Sequence, residues 1–200
     1  MIEKIERFDI EGLVVITPKI FEDSRGYFCE TFNERDFKAI GINVDKFVQD
    51  NESKSSKNVL RGLHFQAIDP QAKLVRVIKG EVYDVAVDLR ADSKTYGKWQ
   101  GVLLSETNRK QFFIPRGFAH GFAVVSDEAV FAYKCDNFWN KEGERGIKWD
   151  DADLNIDWNN YIDVNCAQLS DKDRLYPSLS EWTKGLDKLD KKTISSEFRK

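Results

Sequence analysis

Two short stretches hold the chain's two histidines, and both are composed for chemistry. The first is Arg61-Gly62-Leu63-His64-Phe65-Gln66. The second is Pro115-Arg116-Gly117-Phe118-Ala119-His120-Gly121-Phe122. Each imidazole sits among glycine, apolar and aromatic residues with an arginine close by in sequence. Histidine titrates nearest neutral pH, so two histidines in matched surroundings read as parts of one site that binds a metal or moves protons.

The elements that must position them have a period of two. Strands are expected over 13–17, over 26–32 after the turn-forming Asp23-Ser24-Arg25-Gly26, and over 74–78 and 82–89 around Lys79-Gly80. Others are expected over 100–104, 110–114, 120–125 and 129–135. Within 82–89, alternation puts Val85, Val87 and Leu89 on one face and Asp84, Ala86 and Asp88 on the other. Many short strands separated by turn signals indicate an all-β sandwich or barrel. One helix is expected over 33–40, closed by Gly41. After Pro177 the composition shifts to Ser, Lys and Asp. This divides the chain into a core domain, 1–177, and a polar extension, 178–200, helical in part over 181–189.

A chain of 200 residues suits one domain with a sizeable core, and 41% hydrophobic against 32% charged residues argues against disorder. A net charge of -3 gives no electrostatic case for binding nucleic acid or an anionic membrane. No apolar run approaches the roughly 20 residues of a membrane span. The opening Met1-Ile2-Glu3-Lys4-Ile5-Glu6-Arg7 alternates charged and apolar residues and cannot act as a secretory signal. Cys29, Cys135 and Cys166 are widely spaced, without a C-x-x-C pair, and read as reduced thiols of a cytoplasmic protein.

A metal reading of the histidines fails on the ligands. The segment from Pro115 to His120 resembles the P-x-G-x-x-H of cupin-type double-stranded β-helix proteins, and Gly80 matches the glycine that ends their first motif. In the metal-binding version a second histidine stands where this chain has Gln66, and a glutamate where it has Lys73. A lysine repels a divalent ion, so no metal is expected. A cation beside a histidine base suits another task. Removing a proton from a carbon next to a ketone leaves negative charge on oxygen, and Lys73 there would stabilise the enolate as it forms.

Longer motifs carry a more specific resemblance. They are Asp23-Ser24-Arg25-Gly26-Tyr27-Phe28-Cys29-Glu30, Gln49-Asp50-Asn51-Glu52-Ser53, Val59 through Gln66, Gln71 through Val77, Gly80 through Arg90, and Leu169-Ser170-Asp171-Lys172-Asp173. In this order they resemble the dTDP-4-dehydrorhamnose 3,5-epimerases, over about Leu13 to Pro177. The resemblance implies a cupin-like jelly roll, a double-stranded β-helix with a few short helices. It implies a cofactor-independent isomerase of deoxysugar biosynthesis, acting on a dTDP-linked 4-keto-6-deoxyhexose at carbons 3 and 5, and a homodimer.

Carried over by residue, His64 matches the family's base, Asp173 the carboxylate paired with it, and Tyr133 the acid that reprotonates from the opposite face. Inversion needs groups on both sides of the ring. An imidazole, with an unperturbed pKa of about 6.5, suits the base, and a phenol, at about 10, keeps its proton until an enolate needs it. Arg25, Arg61 and Lys172 would meet the pyrophosphate. Glu30, Gln49 and Asn51 would bond the nucleotide, Trp139 would stack on its base, and Glu144 and His120 would contact substrate.

Each residue also has a plainer reading. His64 and Tyr133, the latter on the same strand face as Phe131, suit core positions. Lys73, Asp173, Glu144 and the arginines suit a solvated surface. Gln49 and Asn51 suit turns, Trp139 suits loop packing, and His120 suits a hydrogen-bonding place behind the site. Three functions stay open: the double epimerase, an epimerase acting at one carbon, and a non-catalytic sugar-nucleotide-binding protein or metal cupin oxygenase.

Overall fold

The structure is a computed structural model that describes residues 1–42 and 47–185. Its strands, in chain order, are β1 (Ile2–Arg7), β2 (Val14–Pro18), β3 (Ile20–Asp23), β4 (Gly26–Cys29), β5 (Gln49–Ser56), β6 (Leu60–Gln66) and β7 (Lys73–Lys79). They continue with β8 (Glu81–Asp88), β9 (Trp99–Ser105), β10 (Gln111–Ile114), β11 (Phe118–Val124), β12 (Glu128–Cys135) and β13 (Glu144–Gly146). A six-stranded sheet has the order β1-β2-β10-β7-β12-β5, a five-stranded sheet the order β13-β6-β11-β8-β9, and β3 and β4 form a separate hairpin. From β5 to β8, and again from β9 to β13, each successive strand lies in the other sheet. That winding is the expected double-stranded β-helix, here as two facing sheets that stay separate.

Strand alternation builds the layers. Val75 and Val77 on β7, Phe112 and Ile114 on β10 and Phe131 on β12 point inward from the six-stranded sheet. They meet Val82, Ala86, Leu104, Phe122 and Val124 of the other sheet in one buried core. Phe131 stacks on Phe122 across the gap, ring centroids 4.2 Å apart. Removing so buried a ring costs about 3–5 kcal/mol. On the outside of the five-stranded sheet, Leu63, Phe65, Val85 and Val87 are covered by the later chain through Ile147, Leu154, Trp158 and Leu179. On the outside of the six-stranded sheet, Val14, Ile16, Leu74 and Phe113 are covered by Phe37 of helix α1 (Glu34–Ala39). Asn33 caps that helix by accepting from the Arg35 amide.

Among strands buried on both faces, β8, β10 and β11 match their expected positions, although β11 begins two residues earlier; β6, as deeply buried, is not among the expected strands, and the exposed β4 ends at Cys29. The sequence pattern misses β1, β3, β5, β6 and β13, of which β1 and β5 are the two edges of the six-stranded sheet. An edge strand with exposed alternate residues lacks a continuous apolar row, and Gln49–Ser56 is polar throughout. The terminal helix α2 is Leu179–Gly185, two residues earlier than expected at its start, and the rest of the expected 181–189 helix lies outside the described residues. Trp182 of α2 packs edge-on against Phe65 at 5.0 Å. No helix among the described residues is long and apolar enough to cross a membrane.

Candidate active site

His64 and His120 are direct cross-strand partners on β6 and β11. Both arginine and histidine of the first motif face the space between the sheets because β6 carries a bulge. His120 pairs with His64 and Phe122 with Arg61, so three steps along β6 match two along β11. Without the extra residue, side chains three positions apart would point to opposite faces. Gly62 makes the bulge possible: its φ is +120°, and a Cβ there would stand 2.5 Å from the Gly121 Cα.

Each histidine has its own carboxylate. His64 Nε2 lies 2.5 Å from Asp173 Oδ1, and His120 Nε2 lies 2.8 Å from Asp84 Oδ2. Carboxylates accept, so Nε2 carries the hydrogen in each and Nδ1 keeps a lone pair. The pairs differ in access. The His64 side chain is 30% exposed and that of His120 8%. Burial pushes the His120 imidazole below its ordinary pKa, against the opposing pull of Asp84. Burial would also raise Asp173. The hydrogen bond and charge of His64, with help from Ser170 and Lys172, outweigh it and hold the carboxyl below its usual range. Asp84 is fully buried, and its Oδ1 has no hydrogen-bond partner.

The facing sheet supplies a cation and a phenol. Lys73 continues the inward row of Val75 and Val77 on β7, and Tyr133 continues the row of Phe131 on β12. The Lys73 ammonium stands 5.9 Å from the Tyr133 ring centre. Burial lowers the Lys73 pKa, with Cys135, Asp84 and Glu144 opposing. Burial raises Tyr133, so the phenol stays protonated beyond its ordinary range. Cys135, opposite Lys73, is a buried thiol pushed up to about 11, too high for a thiolate nucleophile near neutral pH.

A cavity of about 320 Å³ opens beside His64 and Asp173, with Arg61, Ser170 and Lys172 among its lining residues. The Arg61 guanidinium donates to Ser55 Oγ from Nε and NH2 at 3.2 and 3.1 Å. Lys172 pairs with Glu144 at 2.5 Å. Gln49 and Asn51 lie on β5, not in turns. Asn51 stands opposite Tyr133, and Gln49 Oε1 accepts from the Trp139 amide at 2.9 Å. The Trp139 ring is more than half exposed. Arg25 and Glu30 stand apart from these groups. Arg25 pairs with Asp23 on the β3–β4 hairpin, and Glu30 with the Met1 ammonium.

Gln66 holds a loop in place of a metal: its Oε1 accepts from the Asn140 amide at 2.7 Å and its Nε2 donates to the Phe138 carbonyl at 3.3 Å. Among the described residues, no three His, Cys, Asp or Glu side chains converge as ligands would. Sequence reasoning missed Asp84 and Tyr176. The signal for Asp84 was an acid alternating with Val82 and Ala86 on a strand whose other face, Val85, Val87 and Leu89, is apolar throughout. Tyr176, packed against His64, has no signal of its own in the sequence.

Two facing sheets with a pair of His–Asp couples on one wall and a lysine and tyrosine on the other define a jelly-roll protein of the cupin type with an acid–base site. The dTDP-4-dehydrorhamnose 3,5-epimerase family model matches residues 7–181. The chain belongs to that family, whose members are isomerases. It is 54% identical to the dTDP-4-dehydrorhamnose 3,5-epimerase of Methanothermobacter thermautotrophicus over 172 residues, 86% of this chain and 92% of that one. It also resembles the crystal structure of a dTDP-6-deoxy-D-glucose-3,5-epimerase from Legionella pneumophila in complex with dTDP-4-keto-L-rhamnose. That likeness has a TM-score of 0.85 and 47% identity, over 88% of this chain and 93% of the other. A 3'-monoepimerase from Streptomyces bikiniensis, in complex with dTDP, shares the fold at TM-score 0.83 and 28% identity, covering 96% and 98% of the two chains.

Proposed function

We propose that this protein epimerises dTDP-4-keto-6-deoxy-D-glucose at carbons 3 and 5 to dTDP-4-keto-L-rhamnose, using side chains alone. The observation that carries this reading is the position of His64 on β6 of one sheet and Tyr133 on β12 of the other, both turned toward the space between. A sugar ring held there has a base on one side and an acid on the other. His64 Nδ1 takes the proton from the carbon next to the ketone. The C–H electrons move into the enolate, whose oxygen is stabilised by the Lys73 charge. Tyr133 then delivers its proton to the opposite face of that carbon. Solvent reprotonates the tyrosinate, and the imidazolium gives up its proton, so no net atoms change. Asp173 orients the imidazole and stabilises it while charged. The cycle runs once at each carbon.

The remaining assignments follow the ligand's chemistry. Arg61 and Lys172, beside the cavity, suit the pyrophosphate. Gln49, Asn51, Glu144 and the exposed ring of Trp139 suit the nucleoside, and His120 suits the sugar. Arg25, on the outlying hairpin, and Glu30, just after it, suit a site completed in a homodimer. The exposed Tyr27 and Phe28 of that hairpin support a second copy there. Free Cys29, Cys135 and Cys166 support a reducing, cytoplasmic setting.

The test is mass spectrometry of dTDP-4-keto-6-deoxyglucose incubated with the pure protein in D₂O. Two deuterons incorporated per sugar are expected. One deuteron would assign the activity to a single carbon, as the likeness to the monoepimerase allows. Binding without exchange would leave a sugar-nucleotide-binding protein.

A further inference from the structure

We infer that Tyr176, seated on Gly146, is a positioning residue that fixes the ring of His64. The inference rests on His64 being the base. Residues Asp173–Leu175 form a single 3₁₀ turn with Tyr176 as its C-cap. Three residues per turn put the side chains of 173 and 176 on the same side. Both reach His64. Asp173 accepts from its Nε2, and the Tyr176 ring meets the imidazole edge to face, centroids 5.6 Å apart and planes at 71°. Aromatic pairs favour this arrangement, which resists rotation of either ring.

Gly146 on β13 is the cross-strand partner of His64 on the edge opposite β11. A Cβ at Gly146 would stand 2.5–2.6 Å from three carbons of the Tyr176 ring. The ring therefore lies directly on the glycine backbone, in space that any other residue would fill. It is held between that backbone and the imidazole. Its buried hydroxyl interacts with the Lys172 side chain and not with the imidazole. The Lys172 ammonium, 6.0 Å from the ring centre, acts on it electrostatically. The ring, and not the hydroxyl, does the holding. One carboxylate contact fixes where Nε2 points but leaves the imidazole free to tilt about that bond. The packed ring removes the tilt and keeps Nδ1 aimed into the space between the sheets.

The test measures kcat and KM separately for four variants. Tyr176→Phe keeps the ring and is expected to hold kcat within about twofold of wild type. Tyr176→Leu is expected to lower kcat about tenfold with KM within about twofold, since small misplacements of a catalytic group are costly. Gly146→Ala displaces the ring without touching it and is expected to give the same loss. In the double variant Gly146→Ala/Tyr176→Leu, the two losses should not multiply, because one ring underlies both. Wild-type kcat in Tyr176→Leu, a loss in Tyr176→Phe equal to that in Tyr176→Leu, or multiplying losses would overturn the inference. If Gly146→Ala does not fold, the Phe–Leu contrast decides alone. His64→Asn run beside them separates the two levels: if it retains full exchange, the base assignment fails, whatever Tyr176 does.

Discussion

The two histidine–carboxylate pairs stand side by side on neighbouring strands, yet they are built differently. His120 takes its acid from Asp84 on β8, the next strand of the same sheet, and both partners are buried. His64 takes its acid from Asp173, 109 residues away on a 3₁₀ turn, and keeps nearly a third of its side chain open to a cavity. The chemistry of the pairs is the same, and the access is not. A group that exchanges protons with substrate and solvent must be reachable, whereas a group that holds a charge pattern in place need not be. The carboxylate delivered by a late segment leaves the His64 side of the strand pair open, while the in-sheet carboxylate closes the His120 side.

This contrast is broken most sharply by removing the exposed member. His64→Asn is expected to lower kcat/KM by about 10³–10⁴-fold, the upper range for a lost general base, as read by steady-state turnover. On the facing wall, Lys73→Met should lower kcat by about 10²–10³-fold, the usual cost of losing one group that stabilises a developing oxyanion. The same variant should melt at a higher temperature. Lys73's pKa is lowered, so the folded state carries a penalty for its charge at neutral pH that is relieved only as pH rises through the lowered pKa. Methionine removes that penalty at every pH. Calorimetry at pH 7 reads it, and an unchanged or lower Tm would contradict it. His120→Asn should cost about tenfold in kcat/KM, the scale of one lost charged hydrogen bond, and leave proton exchange intact.

The smallest effect sharpens the comparison through pH. The Asp173 carboxyl is held below its ordinary range, so the stability it contributes is full above the unfolded carboxylate pKa of about 4 and is lost as pH falls through the folded value. Asp173→Asn should therefore show a flatter fall in Tm than wild type as pH drops below about 4. Equal slopes would mean that the pair adds nothing to stability in acid.

Legibility in the sequence followed an uninterrupted apolar row more than burial itself. Strands such as Val82–Leu89 showed themselves because each face packs on its own core, and this made the row containing Asp84 visible even though its partner was not. Edges β1 and β5 lacked that signal, as did the buried β6, where Arg61, Gly62 and His64 interrupt the apolar row, and with β5 went the correct setting of Gln49 and Asn51. Of the four residues expected to do chemistry, His64, Lys73 and Asp173 came from dense motifs, and Tyr133 from the resemblance alone. What joins them, the Gly62 bulge and the return of the chain to bring Asp173 to His64, depends on contacts across more than 50 residues that no local pattern encodes. Tyr176 is the extreme case, since its role depends on a glycine in another strand.

The contrast between the pairs is tested most directly by position-resolved deuterium exchange in D₂O, followed by NMR at carbons 3 and 5 of dTDP-4-keto-6-deoxyglucose, for His64→Asn and His120→Asn side by side. Exchange at both carbons in His120→Asn, slowed but complete, with none at either carbon in His64→Asn, is the predicted result. Exchange that survives in His64→Asn and disappears in His120→Asn would contradict it, and would make the buried pair the one that moves the proton.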